Sequence, residues 1–131
     1  MQLNKEVADI FTNEPCHQLA TVSAQGQPNI SNIGAKYLLD DGRIVIVDNY
    51  MKKTMANLKE NPEVAILVRQ GKTSYQIKGT AEYLTSGELY EEARAWMKAK
   101  NQERPAKGAV IITVHSVYNS MSGADAGEKV Q

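Results

Sequence analysis

A chain of 131 residues fits one compact domain and leaves no room for a second. Hydrophobic residues make up 42% of it, enough for a core, and 15 basic side chains balance 15 acidic ones to a formal net charge of zero. That balance argues against nucleic acid or an anionic membrane as the main partner, since both call for a basic excess, and it opposes self-association only weakly.

The N-terminal residues Met1 to Glu6 hold no apolar core of a signal peptide, and no apolar run approaches membrane-spanning length. The expected compartment is the cytoplasm. Cys16 is the single cysteine, which forbids an internal disulfide and reads as a small packing residue.

The first element reads as a helix from Asn4 to Asn13, with Leu3, Val7, Ile10 and Phe11 as its apolar stripe and Glu14-Pro15 as its stop. Cys16 to Val22 is a strand, followed by the turn Ser23 to Pro28. Asn29 to Leu39 reads as one second strand, and Asp40-Asp41-Gly42 turns it into a third, Arg43 to Asp48. A polar loop and a short helix ending ahead of Pro62 come next. Val64 to Arg69 and Tyr75 to Leu84 are strands joined by the turn Gly71-Lys72-Thr73.

Thr85-Ser86-Gly87 opens the longest helix, Glu88 to Lys100, with Leu89, Ala93, Trp96 and Met97 on one side. Trp96 is a core anchor on that spacing. Ala109 to Val114 is the last strong strand, and Ser122 to Gln131 reads as a mobile tail, or one held only by a partner, behind a domain of residues 1–121.

Six strands separated mainly by hairpin turns predict a mainly β fold, an antiparallel sheet closed into a barrel with a few flanking helices. Val64 to Val68 and Val110 to Val114 fail to alternate apolar with polar, so both of their faces need cover. Helices cover part of that surface, and a second subunit is an expected source of the rest.

The stretch from Arg43 to Pro62 carries the most chemistry. A β-branched run empties into a helix whose first turn brings together an ammonium, a hydroxyl and an amide from Lys53, Thr54 and Asn57. Unpaired backbone N–H groups and a partial positive charge at a helix start suit a phosphate. Met51, Met55 and Leu58 on the other face anchor the helix to a core. The alternative assigns Thr54 to an N-cap, Asn57 to a weak capping box and the lysines to solvent.

With these residues in order, the chain resembles the small FMN-binding proteins of the pyridoxamine-phosphate-oxidase-like, split-barrel superfamily. The resemblance runs from Cys16 to Met121. Its motifs are Leu19 to Val22 with Gly26 to Asn29, Met51 to Thr54 with Asn57, Asn61-Pro62, Ile77 to Glu82, and Lys107 to Val114. It implies a six-stranded antiparallel split β-barrel and a homodimer with FMN in clefts between the subunits. By position, Lys53, Thr54 and Asn57 match the phosphate-binding turn. Asn32, Ile33 and Gly34 match the segment beside the isoalloxazine, and Asp48 and Asn49 match the strand end whose backbone meets the ring and ribityl chain.

Two departures set the chain apart from vitamin B6 oxidation. Full pyridoxamine-phosphate oxidases carry a late Arg-x-His element, where this chain has Thr113-Val114-His115. They also pair Arg with Lys in the phosphate turn, where Lys52-Lys53 lacks the bidentate fork. His17 and His115 lack a partner at metal-ligand spacing, and no acid–base dyad or dinucleotide fingerprint is present. The implied function is an FMN flavoprotein of oxidoreductase or electron-transfer type, with no catalytic residue assigned and a small molecule or protein as redox partner. The alternatives are a deazaflavin or haem in the same cleft, with His17, His115 or Cys16 as axial ligand, or a flavin-binding module without turnover.

Overall fold

The two-residue link Gly34-Ala35 explains the shape of the sheet. A computed structural model describes residues 1–131. In it β1 (His17–Val22) pairs with β2 (Pro28–Ile33), and β3 (Lys36–Leu38) pairs with β4 (Ile44–Asp48). With β5 (Glu63–Gln70), β6 (Thr73–Leu84) and β7 (Gly108–Asn119), the order across the sheet is β2-β1-β5-β6-β7-β4-β3, antiparallel throughout. β2 and β3 are therefore opposite edges of one sheet, yet only two residues separate them in sequence. The sheet must curl until its edges nearly meet, which makes a barrel split along one seam.

The sequence reading treats Asn29 to Leu39 as one strand and so counts six. Seven form because the chain leaves the β1 edge after Ile33 and joins the β4 edge at Lys36. Gly34 allows the crossing: a Cβ there would sit 3.3 Å from the Pro15 carbonyl oxygen. β7 also runs five residues past Val114, pairing with β6 to Asn119 across an irregularity at Lys78/Gly79. At that point a Cβ on Gly79 would fall 2.3 Å from the Thr113 carbonyl oxygen, so a side chain has no room.

Inward-facing Leu19, Ile44, Ile46, Ile66, Val68, Ile77, Val110 and Ile112 fill the barrel. Helix α1 (Lys5–Asn13) adds Val7, Ile10 and Phe11 to them. Its start is fixed by Asn4, whose side-chain oxygen accepts the Val7 N–H at 3.0 Å. Helix α2 (Lys53–Glu60) contributes Leu58 to the same core and packs on β1, β2 and β6. Helix α3 (Glu88–Lys100) lies outside the barrel, where Ala93 and Met97 meet Val45, Val47, Ala109 and Ile111. Trp96 packs on Tyr37 with ring centroids 4.8 Å apart.

Those contacts cover Ile111, the apolar outward residue of the Val110 to Val114 run, within one chain, while outward Thr113 is exposed, so that part of the surface argument for a second subunit is met internally. The segment expected to be mobile is also held. Its backbone pairs with β7 through Asn119 to Glu128 and Val117 to Val130, and the Gln131 side chain bridges Asn4 N–H and Gln2 C=O at 2.7 Å each. The extended β7 edge supplies the template that a β7 ending at Val114 would lack. No helix is long and apolar enough to cross a membrane.

Candidate functional site

Beside the seam, where β3 is too short to cover the end of β4, the molecule opens into a cavity of about 780 Å³. That volume lies within the range of pockets that hold small organic ligands. One wall is β2 and the crossing, from Asn29, Ser31 and Asn32 to Ala35. A second is the loop between β4 and α2 with the start of α2, from Asn49 to Thr54. The third is the C-terminal end of α3 and the loop after it, through Met97, Lys100, Asn101 and Arg104.

Six of the eight sequence-assigned residues line this one cavity: Asn32, Ile33, Gly34, Asn49, Lys53 and Thr54. Asp48 and Asn57 do not line it, and each holds a wall in place. The Asn57 amide donates to Thr21 Oγ1 at 3.1 Å, fastening α2 to β1. Thr54 is buried, and its Oγ1 accepts from the Asn29 amide and shares a hydrogen bond with Ser31 Oγ, both at 3.2 Å. Thr54 is therefore no N-cap. Lys52 takes the cap position and no side chain caps the helix, so its first N–H groups are left for another acceptor.

Asp48 is fully buried under the loop. Its Oδ1 accepts the Met51 N–H at 2.8 Å, its Oδ2 accepts the Tyr83 O–H, and Lys107 Nζ lies 3.5 Å from that oxygen. Lys107 also donates to the Met51 carbonyl at 2.6 Å. Burial, then the bond to Asp48, pushes the Tyr83 hydroxyl far above its usual range. The loop is thus clamped at Met51 from both sides, which fixes the backbone between Asn49 and Lys53.

The third wall was not visible in the sequence. Lys100 and Arg104 lie about fifty residues from the phosphate turn, and only the docking of α3 brings them together. Asn49 is the local link, its amide against Met97 Sδ at 3.4 Å and its oxygen accepting the Ala106 N–H at 3.0 Å. Lys36, at the start of β3, lies outside the cavity lining. It is buried, donates to the Phe11 carbonyl at 2.5 Å, and is lowered in pKa by burial.

The two histidines and the cysteine lie elsewhere. His17 is buried and stacks on Phe11, and its Nε2 carries the proton that meets the Phe11 carbonyl at 3.1 Å. Burial holds its pKa below the ordinary value. His115 is exposed on β7 beside Thr80 Oγ1 at 2.9 Å, and Cys16 is exposed just before β1. None of the three lines the cavity. No cluster of His, Cys, Asp or Glu forms a metal site.

Comparison with known proteins agrees with this architecture. The family model for pyridoxamine 5'-phosphate oxidase matches residues 3–121. The uncharacterized protein MJ0282 of Methanocaldococcus jannaschii is 39% identical over 99% of this chain and 89% of its own length. HupZ of Group A Streptococcus is 34% identical, covering 96% of this chain and 100% of that one, with a TM-score of 0.82. The pyridoxine/pyridoxamine 5'-phosphate oxidase of Coxiella burnetii is 32% identical over 76% of this chain, which spans only 56% of that enzyme. Two solved structures near 20% identity share the fold alone. They are an FMN-binding protein of Syntrophomonas wolfei, covering 92% of this chain and 90% of that one at a TM-score of 0.76, and the haem storage protein HutZ of Vibrio cholerae, covering 91% and 95% at 0.70.

Proposed function

The chain belongs to the pyridoxamine 5'-phosphate oxidase family, and on that footing we propose that its cavity binds FMN and that the protein is a flavin-dependent oxidoreductase or electron-transfer protein. The observation that carries the proposal is the uncapped start of α2 at the cavity wall, flanked by Lys52 and Lys53, neither of which has a carboxylate partner. A phosphate there meets free N–H groups, a helix dipole and an ammonium together. Lys53, Thr54 and the α2 backbone hold the phosphate in this reading, and Asn32, Ile33, Gly34 and Asn49 line the space for the rest of the cofactor. Bound FMN supplies hydride or electron transfer through its ring system, while the chain supplies position, electrostatics and access.

The haem alternative is weaker in this cavity. Its three possible axial ligands, His17, His115 and Cys16, are all absent from the lining. Vitamin B6 oxidation is likewise not part of the proposal, since Thr113-Val114-His115 stands where those oxidases carry Arg-x-His and Lys52-Lys53 lacks their arginine fork.

A second copy of the chain is part of the reading. On the outer face, Ile30 stands opposite Ala20 and Ala20 opposite Ala65, with Ile30 67% exposed. Asn32 shares that face, paired with Gln18, and also lines the cavity. A subunit docked on the face would border the cavity mouth.

An absorbance spectrum of the purified protein, with mass identification of the released cofactor, separates FMN from deazaflavin and haem. Anaerobic reduction by NADH or NADPH then separates an enzyme from a passive flavin module. A colourless protein that takes up no added FMN would overturn the proposal.

A further inference from the structure

Both ends of the crossing between the two sheet edges are tied to one atom. His17, the first residue of β1, pairs with Ile33, the last of β2, and Lys36 opens β3 directly after Gly34-Ala35. The His17 ring N–H and the Lys36 ammonium donate to the same Phe11 carbonyl oxygen, at 3.1 and 2.5 Å. Phe11 lies in the last turn of α1, where carbonyls find no partner within the helix. Between the two ties, Gly34 packs against the Pro15 carbonyl and the Ala35 carbonyl accepts the Val47 N–H at 2.8 Å. Ile33, Gly34 and Ala35 all line the cavity, so the Phe11 carbonyl holds one of its walls from behind.

A helix stop alone does not call for this pair, because the Glu14 N–H already closes the last turn on the Ile10 carbonyl. Phe11, His17 and Lys36 are all buried. The Phe11 ring meets both donors, the His17 ring stacked on it at 5.5 Å between centroids and Lys36 Nζ 4.9 Å from its centroid. Few other charges reach them. Glu14 is the carboxylate that bears on both, while Cys16 and, from α3, Lys100 bear on Lys36. Lys36 forms no ion pair with any of them. A neutral imidazole can share one oxygen with an ammonium, whereas an imidazolium puts a second buried cation beside the first.

We propose that His17 and Lys36 are positioning residues for the flavin wall, and that protonation of His17 frees the crossing at residues 33–36 from α1 and weakens flavin binding. The flavin half of this inference rests on the FMN reading, and the release of the crossing does not. Burial holds the imidazole neutral to below its ordinary 6.5, so the release falls on the acid side of that value.

The first test needs no flavin. Amide exchange in the ligand-free protein compares the Val47 N–H, which reports the crossing, with the Ala81 N–H, held by the Pro62 carbonyl at 2.8 Å. From about pH 7 to about pH 5, protection at Val47 should fall roughly fivefold more than at Ala81. In His17→Gln, which keeps a donor for the carbonyl and does not titrate, the two should fall together. Equal losses in the wild type, or the wild-type pattern in the variant, would overturn the proposal. Lys36→Met decides the matter if His17→Gln does not fold. Removal of the neighbouring ammonium should move the ring-proton titration of His17 to higher pH, and an unmoved midpoint would overturn the shared-carbonyl account.

The flavin half is tested by FMN titrations at the same two pH values. The phosphate itself titrates near about pH 6, so the difference between wild type and variant is the reading. The wild type should lose at least roughly threefold more affinity than His17→Gln, and bound FMN should in turn lower the His17 midpoint. Equal affinity losses would overturn the role of the pair in flavin binding. If the protein takes up no FMN at either pH, the FMN reading fails by itself and the exchange experiment decides the release of the crossing.

Discussion

The Tyr83 hydroxyl donates to Asp48 Oδ2 at 2.5 Å, joining β6 to the buried end of β4 beneath the loop that lines the cavity. Asp48 has three donors around it, from Tyr83, Met51 and Lys107, so its charge is compensated despite complete burial. Tyr83→Phe removes one donor and leaves the carboxylate under-satisfied. The expected cost is about 1–3 kcal/mol in urea unfolding, the usual penalty for an unmet buried polar group. An unchanged unfolding midpoint would show that the clamp contributes nothing.

Gly108 makes that clamp possible. A Cβ at this position would lie 2.2 Å from Tyr83 Oη, so Gly108→Ala must push the ring away from Asp48. The variant is expected to lose at least as much stability as Tyr83→Phe. Adding Tyr83→Phe to it should cost little more, because the hydrogen bond is already broken. Full additivity of the two changes in denaturant melts would contradict the coupling.

Acid sensitivity follows from His17. Its folded pKa lies below the ordinary 6.5, because burial outweighs the Phe11 carbonyl bond, with the Lys36 charge lowering it further and the Glu14 charge opposing. The unfolded chain therefore takes up the proton first as pH falls. The stabilisation is complete above pH 6.5 and is lost as the pH drops through the folded value. Lys36 has the same sign, with its window extending downward from 10.5. Denaturant melts between pH 5 and 7 should show stability rising with pH, on the order of tenths of a kcal/mol or more, and His17→Gln should flatten that slope. An identical slope in the variant would assign the effect to other groups.

The outer-face row of Ile30, Ala20 and Ala65 predicts a dimer, and obligate interfaces of this kind bury on the order of 2,000 Å² or more. Sedimentation at micromolar concentration should show two subunits for the wild type and a shift toward monomer for Ala65→Glu. A folded, FMN-loaded wild-type monomer would contradict this.

Local pattern carried most of the fold. Residues Glu88 to Lys100 form the longest helix as read, because apolar spacing and the turn at Thr85 to Gly87 agree there even without a side-chain cap. The break at Gly34 was hidden because each half of Asn29 to Leu39 is strand-like, and only the closing of the barrel sends the halves to opposite edges. The site divides along the same line. Lys53 and Thr54 reach the cavity from one contiguous motif, whereas Lys100 and Arg104 come from an α3 face that looks like ordinary solvated surface in sequence. Asp48 and Asn57 were placed at the site by position, but the short side chains of both find partners in the fold behind it.

The central claim is that the start of α2 holds a phosphate, and Lys53→Ala tests it most directly. Charge-assisted hydrogen bonds contribute about 1.5–3 kcal/mol, so calorimetric titration should show FMN binding weakened roughly ten- to a hundredfold. Thr54→Val should act in the same direction with a smaller effect, since a neutral hydroxyl contributes less than an ammonium. Riboflavin lacks the phosphate, so its affinity should hardly change in Lys53→Ala, and the exposed Lys53 can be removed without loss of core packing. Equal losses for FMN and riboflavin, or an unchanged FMN affinity, would contradict the account.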